Sequence, residues 1–175
     1  MKRISKSGFA AFLFAVCLLS GAAGAEETPM ETDVPIALTS PSAILCEVST
    51  GRVIFEKNAD ERRPVASVNK VMTILLTLEA IDEGRVSAED KVTISPRAAS
   101  MGGSQAFLDA GESYKLGELL KTVIVASAND SAVALAEYLA GSEETFVKLM
   151  NARAGELGLA NTHYVNCTGL PAQDH

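Results

Sequence analysis

The chain has 175 residues, 47% apolar and 21% charged, with 15 Lys and Arg against 22 Asp and Glu for a formal charge of -7. That balance is ordinary for a globular domain and excludes a fully disordered chain. A pI near 4.9, with no basic cluster beyond the first six residues, argues against nucleic acid, because a binder must neutralise phosphates with grouped Lys and Arg.

In chain order, Lys2, Arg3 and Lys6 precede an apolar run over residues 9–19, and Ala23-Gly24-Ala25 stands before Glu26. This reads as a cleaved signal peptide over residues 1–25, and so as export to an extracytoplasmic location. The run is shorter than the roughly 20 residues that span a bilayer. Removing 25 of 175 residues leaves 150 and takes Cys17 away, so that Cys46 and Cys167 remain. Two buried thiols acting as small apolar side chains are expected in preference to a disulfide. His163 and His175 offer no zinc-ligand spacing, and no metal is expected.

Residues 26–41 carry three prolines and read as a polar lead-in segment. The β-prone runs 43–48 and 52–56, joined by Ser49-Thr50-Gly51, predict a hairpin. Pro64 sets an extended approach to Ser67, a plausible helix start. From there Val68, Val71, Met72, Leu75, Leu76 and Ala80 recur at helical spacing up to a stop at Gly84. A second helix is expected over 119–125, an interruption over 126–130, and a third helical pattern from Val133.

Residues three apart share a helical face, so Lys70 stands one turn above the Ser67 hydroxyl. A serine hydroxyl needs a base within hydrogen-bond reach to act as a nucleophile, and a lysine serves once burial depresses its pKa. As a bare pattern S-x-x-K is weak, since many helices begin with Ser and carry an exposed Lys. Ser127, Asn129 and Asp130 read in two ways. They are ordinary turn and capping residues between helices, or Ser127 and Asn129 face Ser67 and Lys70. In the second case one supplies a proton-relaying hydroxyl and the other an amide that holds Lys70 and a substrate carbonyl.

Ser67-Val68-Asn69-Lys70 followed by Ser127-Ala128-Asn129 resembles the first two of three active-site motifs of the penicillin-binding serine enzymes. The stretches 66–73, 127–132, 146–151 and 157–163 are similar to the exported D-alanyl-D-alanine carboxypeptidases among them, and the likeness covers roughly residues 42–175. The resemblance implies an α/β (α+β) domain of the β-lactamase and transpeptidase type, with an antiparallel sheet, helices and a mostly helical subdomain. It implies Ser67 as acyl-ester nucleophile, Lys70 as general base, Ser127 as proton relay and Asn129 as a substrate-binding residue. The substrate would be a peptidoglycan stem peptide ending in D-Ala-D-Ala, β-lactams would trap Ser67, and no cofactor is needed.

The third motif of that family, Lys-Thr/Ser-Gly, does not occur: Lys121-Thr122 is followed by Val123 within a helical pattern. Residues 42–175 are therefore expected to form an incomplete catalytic domain lacking its C-terminal strands, inactive or unstable by itself. Membrane association is expected only through a C-terminal region absent from this sequence. Two other readings compete: a β-lactamase of the same fold, against which Ser-Ala-Asn in place of Ser-Asp-Asn weighs, and a non-catalytic wall-binding module.

Overall fold

The structure is a computed structural model that describes residues 37–173. The expected signal peptide, most of the lead-in segment and His175 lie outside the described residues. The expected hairpin forms from β1 (Ala43–Cys46) and β2 (Val53–Lys57), antiparallel, with Ala43 opposite Lys57 and a register irregularity between Leu45 and Cys46. Gly51 closes its loop at φ 73, a left-handed conformation that costs glycine little. None of the hairpin's side chains belongs to the buried core, so Cys46 is exposed, against the expectation of two buried thiols. Cys167 is buried, and both thiols are free.

A single 3-10 turn (Ala66–Asn69) leads into α1 (Lys70–Asp82), which Gly84 ends at φ 69. Ser67 is thus inside the turn rather than a helix cap, and its side chain caps nothing. The buried face of α1 also differs from the apolar spacing. Val68 and Val71 are exposed, while Lys70, Met72, Thr73, Thr77 and Ala80 are buried. The polar members of that face are affordable because each finds a hydrogen-bond acceptor.

Next come β3 (Lys91–Thr93), α2 (Pro96–Ala99) and β4 (Ser113–Lys115), with β3 and β4 pairing antiparallel. Then follow α3 (Leu116–Ala126), α4 (Asn129–Ala140) and α5 (Glu143–Glu156). Helix α4 is buried at every position from 129 to 136, so it is the central rod on which α1, α2, α3 and α5 pack. Its Ala132, Ala134 and Ala136 let those neighbours approach closely, while Val133 and Leu135 fill the core beside Leu119, Val123, Phe146 and Met150. Ser142 starts α5 by accepting from the Thr145 N–H.

The expected interruption over 126–130 shrinks to Ser127 and Ala128. Asn129 and Asp130, turn formers by propensity, lie in the first turn of α4. The Asp130 carboxylate is occupied there by the backbone N–H groups of Ala106, Leu108 and Ser131. Tertiary hydrogen bonds override the local preference.

Candidate active site

The turn before α1 presents Ser67 to solvent while the next turn of the helix buries Lys70, which is 2% exposed. Lys70 Nζ donates to Ser67 Oγ at 3.0 Å and to the Thr168 carbonyl oxygen at 2.7 Å. Burial, the larger influence, holds the Lys70 amine below the ordinary lysine value, with nearby Cys167 acting in the opposite direction. An exposed hydroxyl in contact with a buried, destabilised cation is the arrangement in which serine can lose its proton at moderate pH. Ala66, the residue before Ser67, sits at φ 48, a left-handed conformation that alanine rarely adopts.

The second pair of candidates lies at the α3–α4 junction. Ser127 ends α3 at φ 56 and is half-buried. Asn129 is buried, and its Nδ2 donates to the Gly102 carbonyl at 2.7 Å while its backbone N–H donates to the Ser104 carbonyl at 2.7 Å. Its amide thus clips the loop after α2 to the start of α4, whereas the sequence suggested that it holds Lys70. Among the described residues, Asn129 Oδ1 is buried without a hydrogen-bond partner. Among the described hydrogen bonds, none joins Ser127 or Asn129 to Ser67 or Lys70. Among the described residues, no three His, Cys, Asp or Glu side chains converge as a metal site.

One segment of the site was not legible in the sequence. Residues 166–170 lie along the first turns of α1, where Asn69 Nδ2 donates to the Asn166 carbonyl at 3.0 Å and Thr73 Oγ1 to the Cys167 carbonyl at 2.8 Å. The Cys167 N–H donates to Glu143 Oε1 at 3.2 Å, and Glu143 is in turn paired with Arg97. The signal available was turn chemistry: an Asn followed three residues later by Gly. Asn side chains commonly bond the backbone two residues on, which is what closes this turn. A cavity of about 990 Å3 lies beside this segment, between residues 59–65 and 158–164, and none of Ser67, Lys70, Ser127 and Asn129 lines it.

Residues 27–175 match the family described as D-alanyl-D-alanine carboxypeptidase. The D-alanyl-D-alanine carboxypeptidase DacF of Bacillus subtilis is 51% identical over 140 residues, which are 80% of this chain and 36% of that protein. Among solved structures, the D-alanyl-D-alanine carboxypeptidase DacD from Francisella tularensis is similar with a TM-score of 0.78 and 38% identity, over 79% of this chain and 34% of that one. Penicillin binding protein 5 from Haemophilus influenzae gives a TM-score of 0.76 and 33% identity, over 79% of this chain and 41% of that one. The chain spans well under half the length of these relatives, and within that span it shares their α+β fold. Since the family match runs over nearly all of its residues, the chain belongs to the D-alanyl-D-alanine carboxypeptidases, a family of serine peptidases.

Proposed function

We propose that Ser67 and Lys70 are the nucleophile and general base of a D-alanyl-D-alanine carboxypeptidase that acts on peptidoglycan stem peptides. The observation that carries this reading is the 3.0 Å contact between a solvent-facing Ser67 Oγ and a buried Lys70 Nζ. Neutral Lys70 takes the Ser67 proton as Oγ attacks the carbonyl carbon of the penultimate D-alanine. The Ser67 backbone N–H, at the start of the helical run, donates to the oxyanion that forms. The C–N bond then breaks, and the departing D-alanine amine takes a proton from Lys70 through the Ser127 hydroxyl. Water then attacks the acyl carbonyl carbon as Lys70 takes a proton from it, and Lys70 passes that proton to Ser67 Oγ as the ester bond breaks, which restores the serine hydroxyl and the neutral amine. The unpartnered Asn129 Oδ1 is the acceptor we assign to a substrate N–H.

The same chemistry makes Ser67 the site at which a β-lactam would acylate the chain, by analogy with the neighbour named penicillin binding protein 5. Export through the segment ending at Ala25 places the reaction in the cell envelope. The basic start, apolar run and small-residue cleavage pattern of residues 1–25 support that location.

Intact-mass analysis of the chain after incubation with a fluorescent penicillin tests the assignment. A single adduct on Ser67 is expected, absent from Ser67→Ala. Acylation should speed up as pH rises, because the neutral fraction of Lys70 grows, with a midpoint below the 10.5 of an ordinary lysine. An adduct elsewhere, labelling that survives Ser67→Ala, or no adduct at all overturns the assignment.

A further inference from the structure

The acceptor that holds Lys70 is a main-chain carbonyl, so no side chain at position 168 can be credited with it. What aims that carbonyl is Asn166. Its Oδ1 accepts from the Thr168 N–H at 3.1 Å, the Thr168 hydroxyl at 3.1 Å and the Gly169 N–H at 2.7 Å. Its Nδ2 donates to the Leu170 carbonyl at 2.9 Å, and its own carbonyl accepts from Asn69, the residue next to Lys70. One amide side chain therefore closes the turn 166–170 on itself and ties it to α1.

We propose that Asn166 is a positioning residue for the general base: it fixes the Thr168 carbonyl, and that carbonyl fixes the Lys70 amine against Ser67 Oγ. The proposal rests on the Ser67–Lys70 reading above and deepens it. A lysine side chain is a flexible four-carbon stem and its amine has no intrinsic orientation. Held by one carbonyl, the neutral amine has its lone pair left to face the hydroxyl. Displacement of such a group by about 1 Å costs on the order of 10²-fold in rate.

The other polar groups around the turn are already committed. Thr73 holds the Cys167 carbonyl and Glu143 is paired with Arg97. The Cys167 thiol, pushed up by its burial and by Glu143, stays neutral. None of them substitutes for the three bonds that Asn166 Oδ1 accepts.

The test uses the full chain with Asn166→Ala and Asn166→Ser, the latter retaining a hydroxyl that accepts more weakly from amides two and three residues on. Two readouts are taken: the pH titration of the Lys70 13Cε resonance without ligand, and the pH profile of penicillin acylation at Ser67. In Asn166→Ala the loosened turn admits water to Lys70, so its midpoint should move up toward the ordinary lysine value. Acylation should fall about 10–100-fold in the rate at saturating penicillin, with non-covalent affinity unchanged. Asn166→Ser should lie between Asn166→Ala and the parent. Lost stability with an unmoved Lys70 titration and an unmoved acylation profile would overturn the proposal and leave Asn166 a loop residue only. Should Asn166→Ala not fold, Asn166→Ser decides on the same two readouts. The resonance titration reports on positioning even if the parent chain forms no adduct, which would count against the functional reading alone.

Discussion

At Gly169 a methyl group has nowhere to go: a Cβ built there would stand 1.9 Å from the Ala66 carbonyl oxygen and 2.8 Å from Asn69 Cβ. The residue also sits at φ 79, where side chains are strained even in open space. Backbone meets backbone at that point, so neither partner can yield by rotating a side chain. Gly169→Ala should cost about 3 kcal/mol or more, the sum of an overpacked contact and a left-handed alanine, read as a lowered urea midpoint. Because the clash falls on the residue before Ser67, penicillin acylation should fall even in the folded fraction. Equal acylation per folded molecule would show that the 166–170 turn and the Ser67 turn are independent. The left-handed Ala66 against Gly169 is local strain held in place by tertiary contact, beside the residue assigned to attack.

Helix α4 shows how an element can be specified by hydrogen bonds it receives from outside. Its first turn holds Asp130, buried and accepting from two amides of the loop 106–108 and one of its own helix. Those two loop amides flank Phe107, which is held at φ 61 with its ring in solvent. Asp130→Ala removes the acceptor and leaves buried donors unpaired, at about 1–3 kcal/mol for each that water cannot reach. A loss of about 3 kcal/mol or more in chemical unfolding is expected, together with loosening of the loop that Asn129 clips to the same helix end. A loss under about 1 kcal/mol would mean that the loop amides find water. The short interruption between α3 and α4 follows from the same bonds, since Asn129 and Asp130 have tertiary partners that pay for helical geometry.

Across the molecule, cohesion is uneven. The core gathers around α4, whereas the hairpin exposes Ile44, Leu45, Val53 and Ile54 and contributes nothing to the buried cluster. Its ties to neighbouring chain include polar ones, Lys57 Nζ donating to the Leu38 and Ser40 carbonyls. A two-stranded hairpin without a covered face is marginal in water. Amide hydrogen exchange should therefore be fast over residues 43–57, at rates set by local opening, and slowest over α4, at rates set by global unfolding. Equal protection in both regions would contradict this division.

The sequence by itself determined the opening hairpin, helices α1, α3 and α4, and the Ser67–Lys70 pairing, because these depend on spacing within one turn or on patterns a few residues long; α2, α5 and the β3–β4 pair were not read from it. It also carried the family likeness through the motifs at 67–70 and 127–129. It did not determine which face of α1 is buried: Val68 and Val71 look like core by spacing, yet lie exposed. The burial of Lys70, Thr73 and Thr77 is set by acceptors, and two of these, the Thr168 and Cys167 carbonyls, come from nearly a hundred residues away. Nor did it reveal that Asn129 turns its amide to Gly102, or that Asn166 closes the turn whose Thr168 carbonyl holds Lys70. Those are long-range hydrogen bonds and backbone-on-backbone contacts, which leave no periodicity in the chain, and only the tertiary structure decided them.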